Sequence, residues 1–447
     1  MSKEIVTAFE NYLRHVIKTK TFSLDELKNF VEPKFLEMGY RTPPKIGDEL
    51  NVLLIHDAAI GDFVLLSGTI REFRRIYPTA YITLMVNKGS LPLAEHCPYV
   101  DEIILNEQRY NSTVFNELYD WDLEVAKKLL TRHYHICYAF VHRPNTPLLV
   151  YMSGANIRIA HKSSDVLNAF VIGYDSQKAH NVFQSSTLFK STLDSLMTKL
   201  LPMFKYGTHF VDTHFSFIDN ALYLPVENRE LELWYTALDA KTAREMIQNA
   251  RRPLYALAMG GRELRKHYPP KNYARLVEMI LTEDSTATFV ILGGKTDLKS
   301  AQIFKESLDE KIFAEHVLDL TGKTTYRQSA AILMYCDTYI GNDTGIMHVA
   351  AAAKCPVLTP NCFPADLPKS KFDYVKFFSP YKVPSVVVQP SHALPECAVN
   401  KPYHQYGCRI KTPHCITQIA PEILFNGYHL LKEKISTKDF TPTYIDG

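Results

Sequence analysis

The sequence predicts an α/β protein made of two doubly wound halves, preceded by a helical extension. Two stretches of the chain alternate short apolar runs with helical patterns, one from Asn51 and the other from Leu254. Strands that alternate with helices form a parallel sheet covered on both faces. The chain has 447 residues, a length that favours two or three domains over one. We expect a helical extension over 1–48, a first domain over 49–240, a second over 241–430 and a tail over 431–447, with a polar helical stretch over 227–252 at the boundary.

Composition narrows the function classes. Fifty Lys and Arg residues against 48 Asp and Glu leave a formal charge of +2, so no global field would recruit nucleic acid or an anionic membrane. An anionic ligand must therefore be held by a local site. The chain has no apolar run of the roughly 18 residues that a membrane helix needs, and its start lacks the apolar region of a secretory signal. These features predict a cytoplasmic protein.

The extension carries two amphipathic helical patterns. Their apolar residues recur at helical spacing: Ile5, Phe9, Leu13 and Ile17 in the first pattern, and Leu24, Leu27, Phe30 and Val31 in the second. Ser23 and Glu26 fit a capping box at the start of the second helix. We expect the extension to pack on the main body or on another subunit, rather than to form a separate functional module.

Strands and helices follow in order through both halves. The predicted strands are Asn51–His56, Tyr81–Val86, Glu102–Leu105 and His135–Phe140 in the first half, and Leu254–Met259, Thr288–Leu292, Val317–Leu320, Thr338–Gly341 and Val357–Thr359 in the second. The predicted helices include Val64–Tyr77, Asn272–Leu281, Tyr326–Tyr335 and Ala420–Ile435. Residues 160–245 predict helices without a strand order. Two such halves imply a cleft, and open α/β sheets bind ligands at the carboxyl ends of their strands.

The segment Ile340–Ala353 predicts a phosphate site. A strand ends at Gly341, Asp343 or Thr344 can cap, and an Ala-rich helix follows. Such a junction presents backbone N–H groups at the positive end of a helix, and Gly345 lets a ligand approach closely. The alternative is that Asp343, Thr344 and Gly345 only cap a buried helix.

A basic loop follows the first strand of the same half. Arg262, Arg265 and Lys266 lie in the segment 260–270 and are suited to neutralising a diphosphate. A solvated basic loop is the alternative. At the end of the next strand, Asp297 begins a helix, where its carboxylate is suited to the hydroxyls of a ribose. A simple N-terminal helix charge is the alternative there.

The loop 57–62 holds two carboxylates, Asp57 and Asp62, after the first strand of the chain. A partly desolvated carboxylate in a cleft is positioned to act as a general base. Asp62 is the stronger candidate because it adjoins Gly61 directly before the helix. An N-cap role is the alternative.

Together these segments resemble glycosyltransferase family 9, the lipopolysaccharide heptosyltransferases. The resemblance rests on the strand, loop and helix of 52–66, the Lys266-His-Tyr-Pro269 segment, the turn from Gly293 to Asp297, and Asp343-Thr-Gly-Ile-Met-His348. It covers roughly residues 50–430. First-loop residues His56, Ala58 and Ala59 depart from the basic and hydroxyl residues common in the family, and Asp297 is shorter than the usual glutamate.

The resemblance implies a GT-B fold, two Rossmann-like domains facing a cleft, and transfer of a heptose from an ADP-sugar with inversion. Asp62 would deprotonate the acceptor hydroxyl. Lys266, with Arg262 beside it, and the N–H groups of Thr344 and Gly345 would hold the diphosphate. Asp297 would take the ribose, while Asp343 and His348 complete the donor motif.

The implied acceptor is the lipopolysaccharide inner core, a lipid-linked or glycan partner reached at the cytoplasmic face through at most peripheral membrane contact. No cofactor is required if lysine and helix dipole carry the charge. Three alternatives stay open: a protein or other glycan acceptor, another nucleotide sugar, and a non-catalytic nucleotide-sugar binding protein.

Cysteines near the C-terminus form a second candidate site. Cys362, Cys397, Cys408 and Cys415, with His404 and His414 interleaved, provide ligands suited to a structural zinc or iron. Some family members have a cysteine-rich stretch before the final helix, which residues 407–416 resemble. The spacing lacks a CxxC pair, and free buried thiols are the alternative.

Overall fold

The computed structural model describes residues 2–19, 23–45, 47–106, 118–140, 146–162, 194–202, 209–366, 373–395, 410 and 412–447. These residues fall into two compact units. The first is drawn from Met1–Ala59, Gly68–Thr208 and Asp212–Arg229, and the second from Ile60–Ser67, His209–Val211 and Glu230–Gly447.

The extension forms two helices, α1 (Ser2–Thr19) and α2 (Leu24–Glu37). The Ser23 hydroxyl accepts the Glu26 backbone N–H at 3.3 Å, which is one half of the expected capping box. Phe9 and Phe35 are buried in one apolar cluster with Leu53 of the first sheet. The expectation that the extension packs on the main body is therefore confirmed.

Arg41 binds the end of the extension to the rest of the first unit. Its guanidinium donates to the backbone carbonyls of Ala155 and Tyr151, both at 2.9 Å. It also lies 4.3 Å from the centre of the Tyr151 ring and 3.1 Å from the Glu32 carboxylate. A charged group buried beside aromatic rings needs this full set of partners, so the join between extension and body is specific.

The first unit contains a six-stranded parallel sheet in the order β3-β2-β1-β4-β5-β6. The strands are β1 (Asn51–His56), β2 (Tyr81–Asn87), β3 (Glu102–Asn106), β4 (Ile136–Ala139), β5 (Ile157–His161) and β6 (Lys199–Leu201). The helices that follow α2 are α3 (Ile60–Ile76), α4 (Leu91–Ala94), α5 (Leu118–Leu129), α6 (Thr146–Met152) and α7 (Phe210–Ser216), with a π-helical turn at Phe217–Leu222.

The second unit contains a seven-stranded parallel sheet in the order β13-β12-β11-β10-β7-β8-β9. The strands are β7 (Leu254–Ala258), β8 (Thr288–Ile291), β9 (Val317–Asp319), β10 (Thr338–Gly341), β11 (Val357–Pro360), β12 (Ser385–Gln389) and β13 (Pro442–Asp446). The helices are α8 (Ala237–Met246), α9 (Pro270–Glu283), α10 (Leu298–Glu306), α11 (Glu310–His316), α12 (Tyr326–Leu333), α13 (Gly345–Ala352), α14 (Tyr374–Phe377) and α15 (Pro421–Thr437).

The predicted fold class and nine strands are confirmed, and the differences have local causes. α3 begins at Ile60 rather than at residue 64, so Asp62 lies inside the helix and not in the preceding loop. The sequence did not predict strands β5, β6, β12 and β13. β6 has only three residues, and every residue of β13 is at least partly exposed, so neither shows the apolar run that marks a buried strand.

The unit boundaries also differ from the expected domain limits. Residues 227–235 of the predicted polar helix are not helical, and Thr236 instead caps α8. The second unit takes up the chain at Glu230 rather than at residue 241. Residues 431–437 continue α15, and β13 pairs with β12, so the described end of the chain belongs to the second sheet. Among the helices of the described ranges, none is long and apolar enough to cross a membrane.

Replacing Phe35 with Ala tests the role of the extension in the first core. Phe35 is fully buried, so its loss should lower the free energy of unfolding by about 3–5 kcal/mol through lost burial and a cavity. Phe30, on the same helix, is 43% exposed and provides the matched control. Urea denaturation followed by circular dichroism should show a loss for Phe35→Ala several times that for Phe30→Ala. Equal losses would contradict an integrated extension.

Candidate active site

The predicted site residues lie where strands of the second sheet end. Arg262 and Lys266 follow β7, Asp297 follows β8, and the segment from Asp343 to His348 follows β10. Asp62, in the first turn of α3, belongs by its contacts to the same unit. The structure therefore brings all eight predicted catalytic and donor-binding residues into one unit, although the sequence assigned Asp62 to the other half.

Lys266 and Asp343 form a buried ion pair between the ends of β7 and β10. The Lys266 ammonium lies 3.1 Å from Asp343 Oδ2 and 3.1 Å from the Asp343 carbonyl oxygen. The side chains are only 12% and 7% exposed. Burial alone would lower the pKa of Lys266, but the combined effect of Asp343, Tyr374, Glu263 and Cys362 outweighs burial and the pKa is raised. Lys266 therefore stays charged throughout the physiological range.

Asn342 holds this pair in place from within the protein. Its fully buried side chain accepts hydrogen bonds from the Tyr268 N–H at 3.0 Å and the Tyr273 hydroxyl at 2.9 Å. Its amide donates to the carbonyls of Met259 at 2.7 Å and Gly260 at 3.1 Å. One side chain thus joins the end of β10 to the loop that carries Lys266, and its donors and acceptors are all used.

The N-terminus of α13 offers unpaired backbone donors. Thr344 is the N-cap residue, and among the described residues its side chain makes no capping hydrogen bond. Within the same ranges the N–H groups of Gly345 and Ile346 have no acceptor, whereas the Met347 N–H bonds the Thr344 carbonyl at 3.0 Å. Free N–H groups and the helix dipole make this end suited to an anion.

Glycine is required at Gly261, where the loop passes close to this helix end. Its φ of +146° is a conformation that side chains rarely adopt, and a Cβ atom there would lie 2.6 Å from Thr344 Cγ2. The basic loop can therefore lie directly beside the first turn of α13, as the expected diphosphate site requires.

The rest of the basic loop is divided between surface and interior. Arg262 is exposed. Arg265 is 8% exposed, and its guanidinium lies 2.7 Å from the Glu263 carboxylate and 5.3 Å from the centre of the Phe363 ring. Burial alone would raise the pKa of Glu263, but Lys266 and Arg265 hold it below its usual value. Arg265 is thus neutralised within the loop, whereas Arg262 is placed at its surface.

Asp297 closes its own turn. Its Oδ2 accepts the Gly294 N–H at 2.8 Å, and its N–H bonds the Gly294 carbonyl at 3.0 Å. A side chain at Gly260 would overlap with this carboxylate, so Asp297 lies against the end of β7. The capping role that the sequence left open is present, and it fixes the side chain beside the Lys266 loop. Ribose binding by Asp297 stays a prediction.

The two carboxylates of the first loop differ in exposure. Asp57 is 1% exposed and accepts the Asn106 amide at 3.4 Å. Asp62 is partly exposed and stands in the first turn of α3. Asp62 is not an N-cap, because the helix begins two residues before it. Of the two carboxylates, only Asp62 has a side chain that is more than marginally exposed.

His348 lies one turn into α13 and is 6% exposed. Burial lowers its pKa to about 4, with His209 and Lys266 adding to the effect and Asp343 opposing it. Its ring is therefore neutral near pH 7. Among the described residues its Nδ1 has no hydrogen-bond partner.

The structure describes two of the four cysteines of the predicted metal site. The other two, Cys397 and Cys408, lie outside the described residues. Cys362 follows β11, and burial raises the pKa of its thiol to about 11, while the Cys415 sulfur lies 3.2 Å from His414 Nδ1. The described part of the chain contains no group of three or more metal-ligating side chains. A metal at the four cysteines stays a prediction.

Sequence reasoning did not single out two asparagines. Asn342 and Asn361 directly follow the neighbouring strands β10 and β11, and the Asn361 amide donates to Asp343 Oδ2 at 3.1 Å. Two asparagines at equivalent strand ends were a readable signal, since the carboxyl ends of parallel strands meet at one edge.

Comparison with known proteins gives a family match over part of the chain. The model of glycosyltransferase family 9 (heptosyltransferase) matches residues 169–359. The chain is 21% identical over 311 residues to lipooligosaccharide heptosyltransferase 2 of Haemophilus ducreyi, covering 69% of this chain and 81% of that protein. It is 20% identical over 310 residues to lipopolysaccharide heptosyltransferase 2 of Escherichia coli, covering 69% and 82%.

Solved structures share the fold. A family 9 glycosyltransferase from Veillonella parvula superposes with a TM-score of 0.62 at 18% identity, covering 86% of this chain and 98% of that one. The E. coli ADP-heptose lps heptosyltransferase II gives a TM-score of 0.56 at 16% identity, covering 86% and 100%.

The fold is of the GT-B class, and the family match and the curated relatives indicate a sugar-transferring enzyme. Two parallel Rossmann-like sheets are the feature that these structures share with the chain. The resemblance to glycosyltransferase family 9 is confirmed, and the protein is a glycosyltransferase.

Replacing Asn342 with Ala tests its role as the support of the site. Four buried partners would each lose a hydrogen bond, and unsatisfied buried groups cost about 1–3 kcal/mol apiece before relaxation. We expect the second unit to lose at least about 3 kcal/mol of unfolding free energy in urea. Tyr273→Phe removes only one of the four bonds and should cost about 1 kcal/mol. Equal losses for the two variants would contradict the supporting role.

Proposed function

We propose that the protein is an inverting glycosyltransferase that transfers a heptose from ADP-heptose to an acceptor in the inner core of lipopolysaccharide. The observation that carries the proposal is the Lys266–Asp343 pair beside the open N-terminus of α13. A fixed cation next to free backbone donors is suited to a diphosphate. The names of the family and of the curated relatives supply the sugar and the acceptor class.

In the proposed reaction, Asp62 takes the proton of the acceptor hydroxyl. The acceptor oxygen forms a bond to the anomeric carbon while the bond from that carbon to the β-phosphate oxygen breaks, and ADP departs with the electron pair. Attack opposite the leaving group inverts the anomeric centre. Asp62 fits the base because its side chain is partly exposed, whereas Asp57 is buried.

The second requirement is that the negative charge on the departing ADP be stabilised. Lys266 supplies a permanent positive charge, and the N–H groups of Gly345 and Ile346 supply oriented dipoles. Groups that are already in place stabilise the leaving diphosphate without reorganisation. Such electrostatic stabilisation is the largest contribution to the rate enhancement of many enzymes. Arg262 at the surface of the loop is suited to a phosphate oxygen, and Asp297 to the ribose. With these donors the proposed mechanism requires no cofactor.

Replacing Asp62 with Asn tests the base while keeping the shape of the side chain. We expect kcat to fall by about 10²–10⁴-fold because the amide cannot accept the proton. The affinity for ADP should change less than threefold, since Asp62 does not contact the donor in this scheme. Turnover of ADP-heptose with an inner-core acceptor and the affinity for ADP by titration would be measured on the same preparation. Unchanged turnover would reject Asp62 as the base.

A thermal-shift screen with ADP, UDP and GDP tests the donor. A ligand that binds the folded state raises the melting temperature, so ADP should give the largest shift. Stabilisation by UDP alone would refute the ADP-sugar donor.

Replacing Lys266 with Ala tests the diphosphate site. Lys266→Ala should weaken ADP binding at least tenfold, since a charge-assisted hydrogen bond contributes about 1.5–3 kcal/mol. Lys271→Ala, in the following helix α9, serves as the charge-matched control.

A further inference from the structure

The start of α3 lies against the start of α13. A Cβ atom placed on Gly61 would lie 3.0 Å from Gly345 Cα and 3.0 Å from His348 Cδ2. A Cβ atom on Gly345 would lie 2.9 Å from Ile60 Cγ2 and 3.3 Å from the Gly61 nitrogen. Distances this short leave little room for a side chain on either glycine, so the two backbones approach each other closely.

The same first two turns of α3 are held at a second place. The Phe63 ring packs edge-on against Trp234, with ring centres 6.0 Å apart. Two turns into the helix, the Ser67 hydroxyl accepts the Glu232 N–H at 2.9 Å. Residues 60–67 are thus anchored in the second unit by polar and apolar contacts, and the glycine contact fixes the end that carries Asp62.

His348 also contacts the start of α3. Its ring edge lies beside Gly61, and its side chain is almost fully buried. Because its ring is neutral near pH 7, the ring acts on Gly61 through its shape and places no charge beside Asp62.

We propose that the contact of Gly61 with Gly345 and His348 sets the position of Asp62 relative to the phosphate-binding end of α13. The inference rests on the proposed function, in which Asp62 is the base. Asp62 follows Gly61 directly, so a shift of Gly61 passes to Asp62 through one peptide unit. A base must lie within about 2.6–3.2 Å of its proton, and a 1 Å displacement can cost about 10²-fold in rate. Gly61 and His348 are thus positioning residues.

Gly61→Ala is the first test. Alanine favours a helix more than glycine does, so the substitution does not weaken α3 through its propensity. The added methyl group must move the start of α3 away from Gly345 and His348. We expect kcat to fall at least tenfold, while the donor KM and the ADP affinity change less than threefold. Unchanged kcat in a folded Gly61→Ala protein would overturn the proposal.

A rescue pair provides the second test and does not depend on the folding of Gly61→Ala. Gly345→Ala should also lower kcat at least tenfold, because its methyl group meets Ile60 Cγ2. Adding Ile60→Ala removes that atom and should restore kcat to within threefold of the unmodified protein. Ile60→Ala alone should change kcat less than threefold.

The outcomes separate this inference from the proposed function. If Gly345→Ala acts by obstructing the donor, ADP affinity falls and Ile60→Ala does not restore kcat, which would overturn the positioning role. If Asp62→Asn abolishes turnover while Gly61→Ala leaves it intact, only the positioning inference fails. If Asp62→Asn leaves turnover intact, the proposed base fails, and the inference fails with it.

Discussion

The buried side chain of Asn342 is the interaction on which the second unit's site depends. Its four hydrogen bonds join the end of β10 to the loop after β7, the two segments that carry Asp343 and Lys266. An amide suits this place because it both donates and accepts, and strand ends present both kinds of backbone group. A carboxylate or an apolar side chain would leave buried groups unpaired. The ion pair is therefore held by a neutral scaffold beneath it.

Electrostatics in this protein is local. The whole chain carries a formal charge of +2, yet the site concentrates Lys266, Arg265 and Arg262 in one loop. Glu263 and Asp343 balance the two buried cations. This balance lets positive groups stay charged inside the protein, since a buried charge persists only when it is paired. In the proposed reaction, Lys266, Arg262 and the open end of α13 are the groups that bind the diphosphate.

Glycine is scarce in this chain but is placed where segments must meet closely. The missing side chain of Gly260 leaves space for the Asp297 carboxylate, and that of Gly261 leaves space for Thr344. At Gly61 and Gly345 it lets the two backbones approach each other. Each contact brings a loop or helix end of the site towards another. The glycines act singly, at the ends of different strands and helices.

The sequence by itself predicted the two parallel α/β halves, nine of the strands and the segments that carry the site, because apolar periodicity and strand-loop-helix junctions are local properties. It missed four strands, β5, β6, β12 and β13, and among them the short β6 and the exposed β13 are defined by the neighbours they pair with. It also placed Asp62 in the loop before a helix, although the helix begins at Ile60.

Only the tertiary structure decided how the site residues are used. It paired Lys266 with Asp343, made Asn342 and Asn361 their supports, gave Asp297 a capping bond and kept the His348 ring neutral near pH 7. These outcomes depend on burial and on partners tens of residues away, as with Lys266 and Asp343. The residue types in a chain state what chemistry is available, and the packing of distant segments decides which of it is used.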